Sequence, residues 1–207
     1  PAPCAIKALR AGRHVMSETC ACKTVGEAVA LIRAVETSDR VYMLAENYCY
    51  FAYNQEMRRL YQQGEIGELR FAEGEYIHPM SIEESARLSP GLNHWRNWLP
   101  STYYCTHALG PIMTITDTRP VWVNAQSIPY SDKDKQRPAV RRADAAATIV
   151  CRMDNDALVN IQGIHLRGHG NWYRLHGTRG LMENLRTRGE QEKLRIVHDP
   201  FDMQEGD

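Results

Sequence analysis

Between Asn93 and Met113 the chain reads NHWRNWLPSTYYCTHALGPIM, with two Trp, two Tyr, two His and one Arg in twenty-one residues, against an aromatic share of 8% overall. His94, Arg96, Asn97 and His107 would each need a buried partner if the stretch served packing alone, so its polar load points to a binding site. Pro100 stops whatever precedes it, and Ser101 or Thr102 can cap a following helix with a side-chain oxygen. Such a helix carries Tyr103, Tyr104 and His107 on its first turns, and Tyr104 and His107, three apart, share a face. An imidazole, with an ordinary pKa of about 6.5, can take a hydroxyl proton near neutral pH. A phenol, at about 10, is a poor base alone but a useful donor or shuttle beside it. The pair suits a reaction in which a carbinol loses its proton as a hydride departs. If an acidic C–H adjoins the new carbonyl, the same groups can drive elimination of a neighbouring leaving group, with the hydride then returned.

The elements that must position these groups come from an ordinary globular composition. The chain has 207 residues, 43% hydrophobic and 24% charged, with a formal net charge of zero. That length supports one or two domains. Balanced charge, with no basic patch interleaved with aromatics, excludes nucleic acid as the expected partner. No apolar run reaches the roughly 18 residues of a membrane span, and the first residues given show no basic region followed by a hydrophobic segment and a cleavage site. Cys4, Cys20, Cys22, Cys49, Cys105 and Cys151 stand singly in apolar contexts, as reduced thiols of a cytoplasmic protein do.

In chain order, Cys4–Ala11 has helical periodicity closed by Gly12, and His14–Ser17 reads as a short buried strand. Thr24–Thr37 is a second helix, with Thr24 as cap, Glu27 in capping-box position, and Ala28, Leu31, Ile32 and Val35 as its apolar stripe. Val41–Ala45 is an all-apolar strand, expected to be covered on both faces. This alternation belongs to a parallel α/β sheet, and the start at Pro-Ala-Pro leads us to expect that an N-terminal portion precedes it. After Glu46 the pattern changes to α+β. A helix capped by Asn54 and closed by Gly64 points Met57, Leu60 and Tyr61 inward. A strand follows at Leu69–Tyr76, then loop or short helix at His78–Pro90, and the helix from Thr102 runs on until Pro120 ends it. Val121–Ser127 is a strand, and Ser131–Arg142 a charged, solvated connection. Ala145–Met153 and Ala157–Leu166 form a hairpin about Asp154-Asn155-Asp156. Tyr173–His176 and Leu194–Val197 are further strands. The sheet is mostly antiparallel.

Other motifs carry no chemistry. Cys20-x-Cys22 has no second ligand pair, and Gly163, Gly168 and Gly170 argue against the helix that His165-x3-His169 would need, so no metal is expected. Gly168-x-Gly170 is not a dinucleotide fingerprint, and no nucleophile elbow occurs.

ALRAGRHVMSE (Ala8–Glu18), Ala45-Glu46-Asn47, GEIG (Gly64–Gly67) and Trp95-Arg96 followed by His107 resemble the Gfo/Idh/MocA family of nicotinamide-dependent oxidoreductases through nearly the whole chain. The resemblance implies an α/β remnant of a Rossmann domain over residues 1–45, then an α+β domain with a mostly antiparallel open sheet over 46–207. It implies NAD or NADP as cofactor, contacted by Glu18, Glu46 and Asn47. It also implies a small-molecule sugar, polyol or related carbohydrate as substrate, bound by His78, His94, Trp95, Arg96 and Tyr103, and a homo-oligomer formed through the sheet face away from the helices, which would be unusually apolar and carry some of Phe71, Ile149, Cys151, Val159 and Ile161. By this alignment the glycine-rich pyrophosphate turn lies upstream of Pro1, the family continues past Leu194–Val197, and the chain alone is expected to be inactive and to bind dinucleotide weakly.

Two departures from the family matter. Its dehydrogenases carry Glu-Lys-Pro where this chain has Glu18-Thr19-Cys20, and Asp where it has Tyr103. A branch resembling this pattern, the NAD-dependent glycosidases of the α-N-acetylgalactosaminidase type, also lacks that Lys and has Tyr-x-x-His followed by Gly-Pro. Tyr104-Cys105-Thr106-His107 with Gly110-Pro111 is similar to it, as are Glu46-Asn47 and Tyr76. His107, Tyr104 and Tyr76 are therefore the expected catalytic set. A dehydrogenase, a glycosidase or lyase that uses bound NAD catalytically, and a non-catalytic remnant are the functions compatible with the sequence.

Overall fold

The computed structural model describes residues 2–91, 93–98, 100–131, 133–134, 144–187 and 189–198. The chain divides into two compact units, Pro1–Asn47 and Tyr48–Asp207.

In the first unit, helix α1 (Ala2–Arg10) leads to strand β1 (Val15–Ser17), helix α2 (Val25–Glu36) and strand β2 (Tyr42–Leu44). The strands pair in parallel, with Val15 opposite Tyr42. Ala2, Ala5 and Leu9 recur at helical spacing on α1 and pack with Leu31 and Ala34 of α2. The stripe of α2 differs from expectation at one position, because Ile32 is 56% exposed and Ala34 is buried instead. The Thr24 hydroxyl accepts from Glu27 N, but the Glu27 carboxylate reaches back one residue further, to Lys23 N, so the capping box is displaced. β2 is shorter than expected, and Val41 before it is exposed.

The second unit is built on a seven-stranded sheet. Its strands are β3 (Leu69–Ile77), β4 (Pro120–Pro129), β5 (Asp144–Met153), β6 (Leu158–Ile164), β7 (Gly170–Gly177), β8 (Gly180–Asn184) and β9 (Leu194–His198), in the order β4-β5-β6-β3-β7-β8-β9. Every pairing is antiparallel except that of β3 with β6. Helices α3 (Ala52–Gln62) and α5 (Thr106–Thr116) cover one face, where Met57, Ala108, Ile112 and Ile115 meet Ala72, Val159, Ile161, Tyr173 and Leu175. Helix α4 (Ile82–Leu88) lies in the stretch expected to be loop or short helix and carries a complete capping box between Ser81 and Glu84.

Asn54 is not a cap. Phe51 occupies that place, while Asn54 is 1% exposed and donates from Nδ2 to Tyr48 O. α5 stops at Asp117, in left-handed conformation, and Pro120 opens β4. β8 was not anticipated, since five residues beginning with Gly and ending in Glu-Asn carry little strand signal. Ile149, Cys151, Val159 and Ile161 point toward the helices, not away from them. Alternation along a strand means that an error of one position exchanges faces. The opposite face carries Glu73, Arg174, Glu183 and Arg195, joined by ion pairs of 2.8 to 3.7 Å. The charged connection after Ser131 falls largely outside the described residues.

Candidate functional site

Tyr76 lies near the end of β3 on the helix-covered face and is 5% exposed. It is met by the segment preceding α5. That segment is not one α-helix: a 3-10 helix (Ser101–Cys105) holds Tyr103 and Tyr104, and α5 begins at Thr106, with His107 in its first turn and 7% exposed. The segment approaches the sheet so closely that a Cβ on Gly163 of β6 would lie 2.5 Å from Cys105 Sγ, and one on Gly74 of β3 would lie 2.6 Å from Ala108 O. Gly74 lets the backbone of α5, and Gly163 the side chain of Cys105, lie against the strands.

The aromatic rings converge on His107. Its imidazole stacks on Tyr48 with centroids 4.2 Å apart and planes inclined by 13°. The ring of Tyr76 meets it edge-on at 4.9 Å, and that of Tyr104 lies at 5.8 Å. Tyr76 and Tyr104 are themselves nearly parallel at 6.1 Å. Arg96 comes from a 3-10 helix, Trp95–Trp98, and donates from Nη1 to the Tyr104 hydroxyl while its guanidinium lies over the rings of Trp95 and Tyr104. Asn97 holds this helix by donating to Ser89 O and Gly91 O.

The backbone at His107 is also fixed. Pro111 follows four residues later inside α5 and has no N–H to give to the His107 carbonyl. Tyr173, fully buried on β7, supplies the donor instead, its hydroxyl 2.6 Å from His107 O. Cys105, beneath the cluster, is 4% exposed, and burial pushes its thiol up to about 12, so it stays protonated and is no nucleophile.

The expected site residues thus separate into groups. Tyr76, Tyr104, His107 and Arg96 form one cluster. His78 joins it through a stack on Tyr76 at 5.7 Å, and Trp95 and His94 through Arg96. Tyr103 is half-buried beside Tyr104. Glu18 is exposed after β1, Glu46 is buried after β2, and Asn47 is exposed; all three belong to the first unit. Sequence reasoning missed Tyr48 and Tyr173, and set aside His165, whose ring lies 5.9 Å from Tyr76 and 6.3 Å from Tyr104. The alternation Val159, Ile161, Gly163, His165 was the signal that His165 shares their face. Among the described residues, no group of three or more His, Cys, Asp or Glu could hold a metal ion, and no helix is long and apolar enough to cross a membrane.

The chain is 36% identical over 114 residues to a glycosyl hydrolase family 109 protein of Phocaeicola vulgatus, covering 52% of this chain and 28% of the relative. It is 34% identical over 119 residues to an alpha-N-acetylgalactosaminidase of Bacteroides fragilis, covering 55% of this chain and again 28% of the relative. The matched part is therefore little more than a quarter of those relatives' length. Among solved structures, levoglucosan dehydrogenase in complex with NADH and levoglucosan superposes with a TM-score of 0.75 at 21% identity, covering 99% of this chain and 55% of that one. An inositol dehydrogenase homolog of Azotobacter vinelandii complexed with NADH and myo-inositol does so with a TM-score of 0.71 at 18% identity, covering 97% and 54%. These likenesses describe the fold. The GFO/IDH/MocA C-terminal domain model matches residues 54–183, more than half the chain, and the chain belongs to that family.

Proposed function

We propose that this chain forms the substrate-side part of a nicotinamide-dependent oxidoreductase acting on a sugar, polyol or related carbohydrate. The observation that carries the reading is the enclosure of His107 by Tyr48, Tyr76 and Tyr104, with Arg96 bound to the Tyr104 hydroxyl. By this reading the β-α-β unit of the first 47 residues is the end of a Rossmann domain.

The donor set of that unit fits a nicotinamide. A buried carboxylate at Glu46 can accept from the carboxamide N–H, and the Asn47 amide can both give and take hydrogen bonds, with Glu18 as a third polar group. The bound dinucleotide, NAD or NADP, supplies a hydride acceptor. The remaining work falls to the protein. His107 takes the carbinol proton, directly or through Tyr104. Tyr48 fixes the plane of the imidazole, Tyr173 fixes its backbone, and near-complete burial limits competing proton exchange with water. Because Arg96 donates to the Tyr104 oxygen, that hydroxyl turns its own proton toward a second acceptor. Trp95, His94 and His78 offer ring faces and polar edges to a carbohydrate. Self-association through the outer sheet face and a cytoplasmic location belong to the same reading.

A second reading is favoured by the relatives with glycosyl hydrolase names, together with Thr19 and Tyr103 at the two departures from the dehydrogenase pattern. Here oxidation is transient. His107 and the two tyrosines remove the acidic proton beside the new carbonyl and protonate the departing oxygen; for a glycosidase, water then adds across the double bond so formed and the carbonyl regains its hydride and hydroxyl proton, so that no net NAD(P)H accumulates. Incubating the full-length protein with NAD, NADP and candidate sugars and glycosides separates the readings. Net NAD(P)H growth at 340 nm supports the first, and released sugar without it the second. Neither product across sugars, polyols and glycosides would overturn both.

A further inference from the structure

Arg96 stands in the ring cluster without an anion. It is half-buried, and its guanidinium lies over the rings of Trp95 and Tyr104, 5.2 and 5.7 Å from their centroids. Such contacts engage the flat face of the group and leave its in-plane N–H edges for other partners. Among the described residues, Nη1 is the donor in use, to the Tyr104 hydroxyl, and no carboxylate pairs with the guanidinium. The Nε and Nη2 N–H groups form the edge that a carboxylate accepts from with both oxygens. On the outer sheet face, by contrast, Arg174 and Arg195 pair with Glu183, and Arg186 pairs with Glu75. Withdrawing a guanidinium part-way from water without a counter-charge costs free energy, and a negative charge arriving with the ligand would offset that cost.

The surroundings carry the same sign. Five of the chain's eight histidines, His78, His94, His107, His165 and His169, are linked to Arg96 through ring contacts of the cluster. Each imidazole carries one N–H donor when neutral and two, with a positive charge, when protonated. Among the described residues, no carboxylate forms an ion pair with His78, His94 or His169. Two carboxylates at the margin of the cluster are already held by backbone donors. Glu84 accepts from Ser81 N, which together with the weaker pull of His78 keeps its carboxyl below the usual range. Asp144 accepts from Thr102 N. In a chain whose formal charges sum to zero, this cluster is rich in donors and bears an uncompensated cation. One guanidinium edge satisfies a carboxylate in full, whereas the third terminal oxygen of a phosphate would need a donor of its own.

We propose that the substrate is a sugar acid, a uronic acid or its glycoside, whose carboxylate is received by the free edge of Arg96. The inference rests on the carbohydrate reading above and narrows its substrate class from neutral sugars and polyols to carboxylated ones.

The test is calorimetric titration of the full-length protein, saturated with reduced cofactor so that no oxidation occurs. The ligands are the methyl α-glycosides of galactose and glucose, each beside its uronic acid counterpart. In at least one pair the acid is expected to bind at least about tenfold more tightly than the neutral sugar, as a charge-assisted hydrogen-bond pair would give. That preference should shrink as ionic strength rises, a readout that needs no variant. Arg96→Gln should remove it, weakening the acid far more than the neutral sugar, whereas a role exerted only through Tyr104 would weaken both alike. Circular dichroism of the variant separates loss of binding from loss of fold. Equal affinities within both pairs, a preference indifferent to salt or surviving in folded Arg96→Gln, or tighter binding of the corresponding 6-phosphate than of the acid would overturn the carboxylate and leave the carbohydrate reading standing. Binding of none of these ligands would overturn both.

Discussion

The hydroxyl of Tyr173 donates to the backbone carbonyl of His107 across 2.6 Å, and Pro111 is the reason that carbonyl is available. A helix that had an N–H at position 111 would bond the carbonyl internally. Tyr173→Phe should therefore leave a buried acceptor without this donor and cost about 1–3 kcal/mol in denaturant unfolding. Adding Pro111→Ala restores an N–H four residues on and should recover part of that loss. A double variant no more stable than Tyr173→Phe alone would show that the proline does not govern this bond.

His107→Ala is expected to lower turnover of the full-length enzyme by roughly 100-fold to 10,000-fold, the range for losing a positioned proton-transfer group, with cofactor affinity unchanged. Because the ring is buried against Tyr48, the melting temperature should fall as well. Kinetics at a temperature where the variant is fully folded distinguish the two effects. Turnover near wild type under those conditions would remove His107 from the chemistry.

Tyr104→Phe keeps the ring beside Tyr76 and His107 and removes the oxygen that Arg96 binds. Turnover should fall with little change in melting temperature. Arg96→Lys should reproduce part of the loss, since a point charge does not match the planar fork of a guanidinium. In the double variant the two losses should be less than additive, as for groups acting through one bond. Full additivity would count against a working Arg96–Tyr104 pair.

Two glycines give opposite expectations for rescue. Gly163→Ala should destabilise by about 1–3 kcal/mol through the clash with Cys105 Sγ, and Cys105→Ala should relieve most of it. Gly74→Ala meets the main-chain oxygen of Ala108 at 2.6 Å, which no side-chain truncation can move. Thermal melts of the variants, with Cys105→Ala added to both, should show rescue for the first glycine only.

Glu75 is 8% exposed and paired with Arg186 at 3.0 Å. Burial raises its carboxyl above the usual range, against the opposing pull of Arg186. A carboxyl raised by folding contributes stability fully present below its unfolded pKa of about 4.3 and lost as pH rises through the folded value. The stability of wild type relative to Glu75→Gln should therefore decline between acidic and neutral pH. A relative stability that rises over that interval would show that Arg186 dominates.

Much of this architecture is legible in the sequence, and the failures have physical causes. Period-two alternation identifies β5 and β6 and their turn, while Thr24 and Gly12 locate helix ends. The cluster of Tyr76, Tyr104, His107 and Arg96 is legible because polar aromatics crowd one stretch and match a family pattern. Parity is harder: Ile149 and Val159 face the helices and not the outer side of the sheet, because a strand's faces exchange with one residue of shift. Tyr48 and Tyr173 were missed because their roles come from tertiary contacts spanning 59 and 66 residues, which no local spacing records. Asn54 resembles a cap in type, yet its amide is used inside the fold, bonding Tyr48 O.

The parallel pairing of β3 with β6 also bears on how the molecule is made. β3 spans Leu69–Ile77, but its two sheet neighbours are Leu158–Ile164 and Gly170–Gly177. During synthesis from the N-terminal end, Tyr76 leaves the ribosome with both edges of its strand bare, and nearly a hundred further residues follow before the second edge is covered. Closing the centre of the sheet is thus its most non-local event, and this sets the pace of folding. Substitutions in β6 and β7 should slow acquisition of the native fold more than equally destabilising ones in α3, and a nascent chain stalled before β6 offers Leu69–Ile77 as an open template for pairing with other strands.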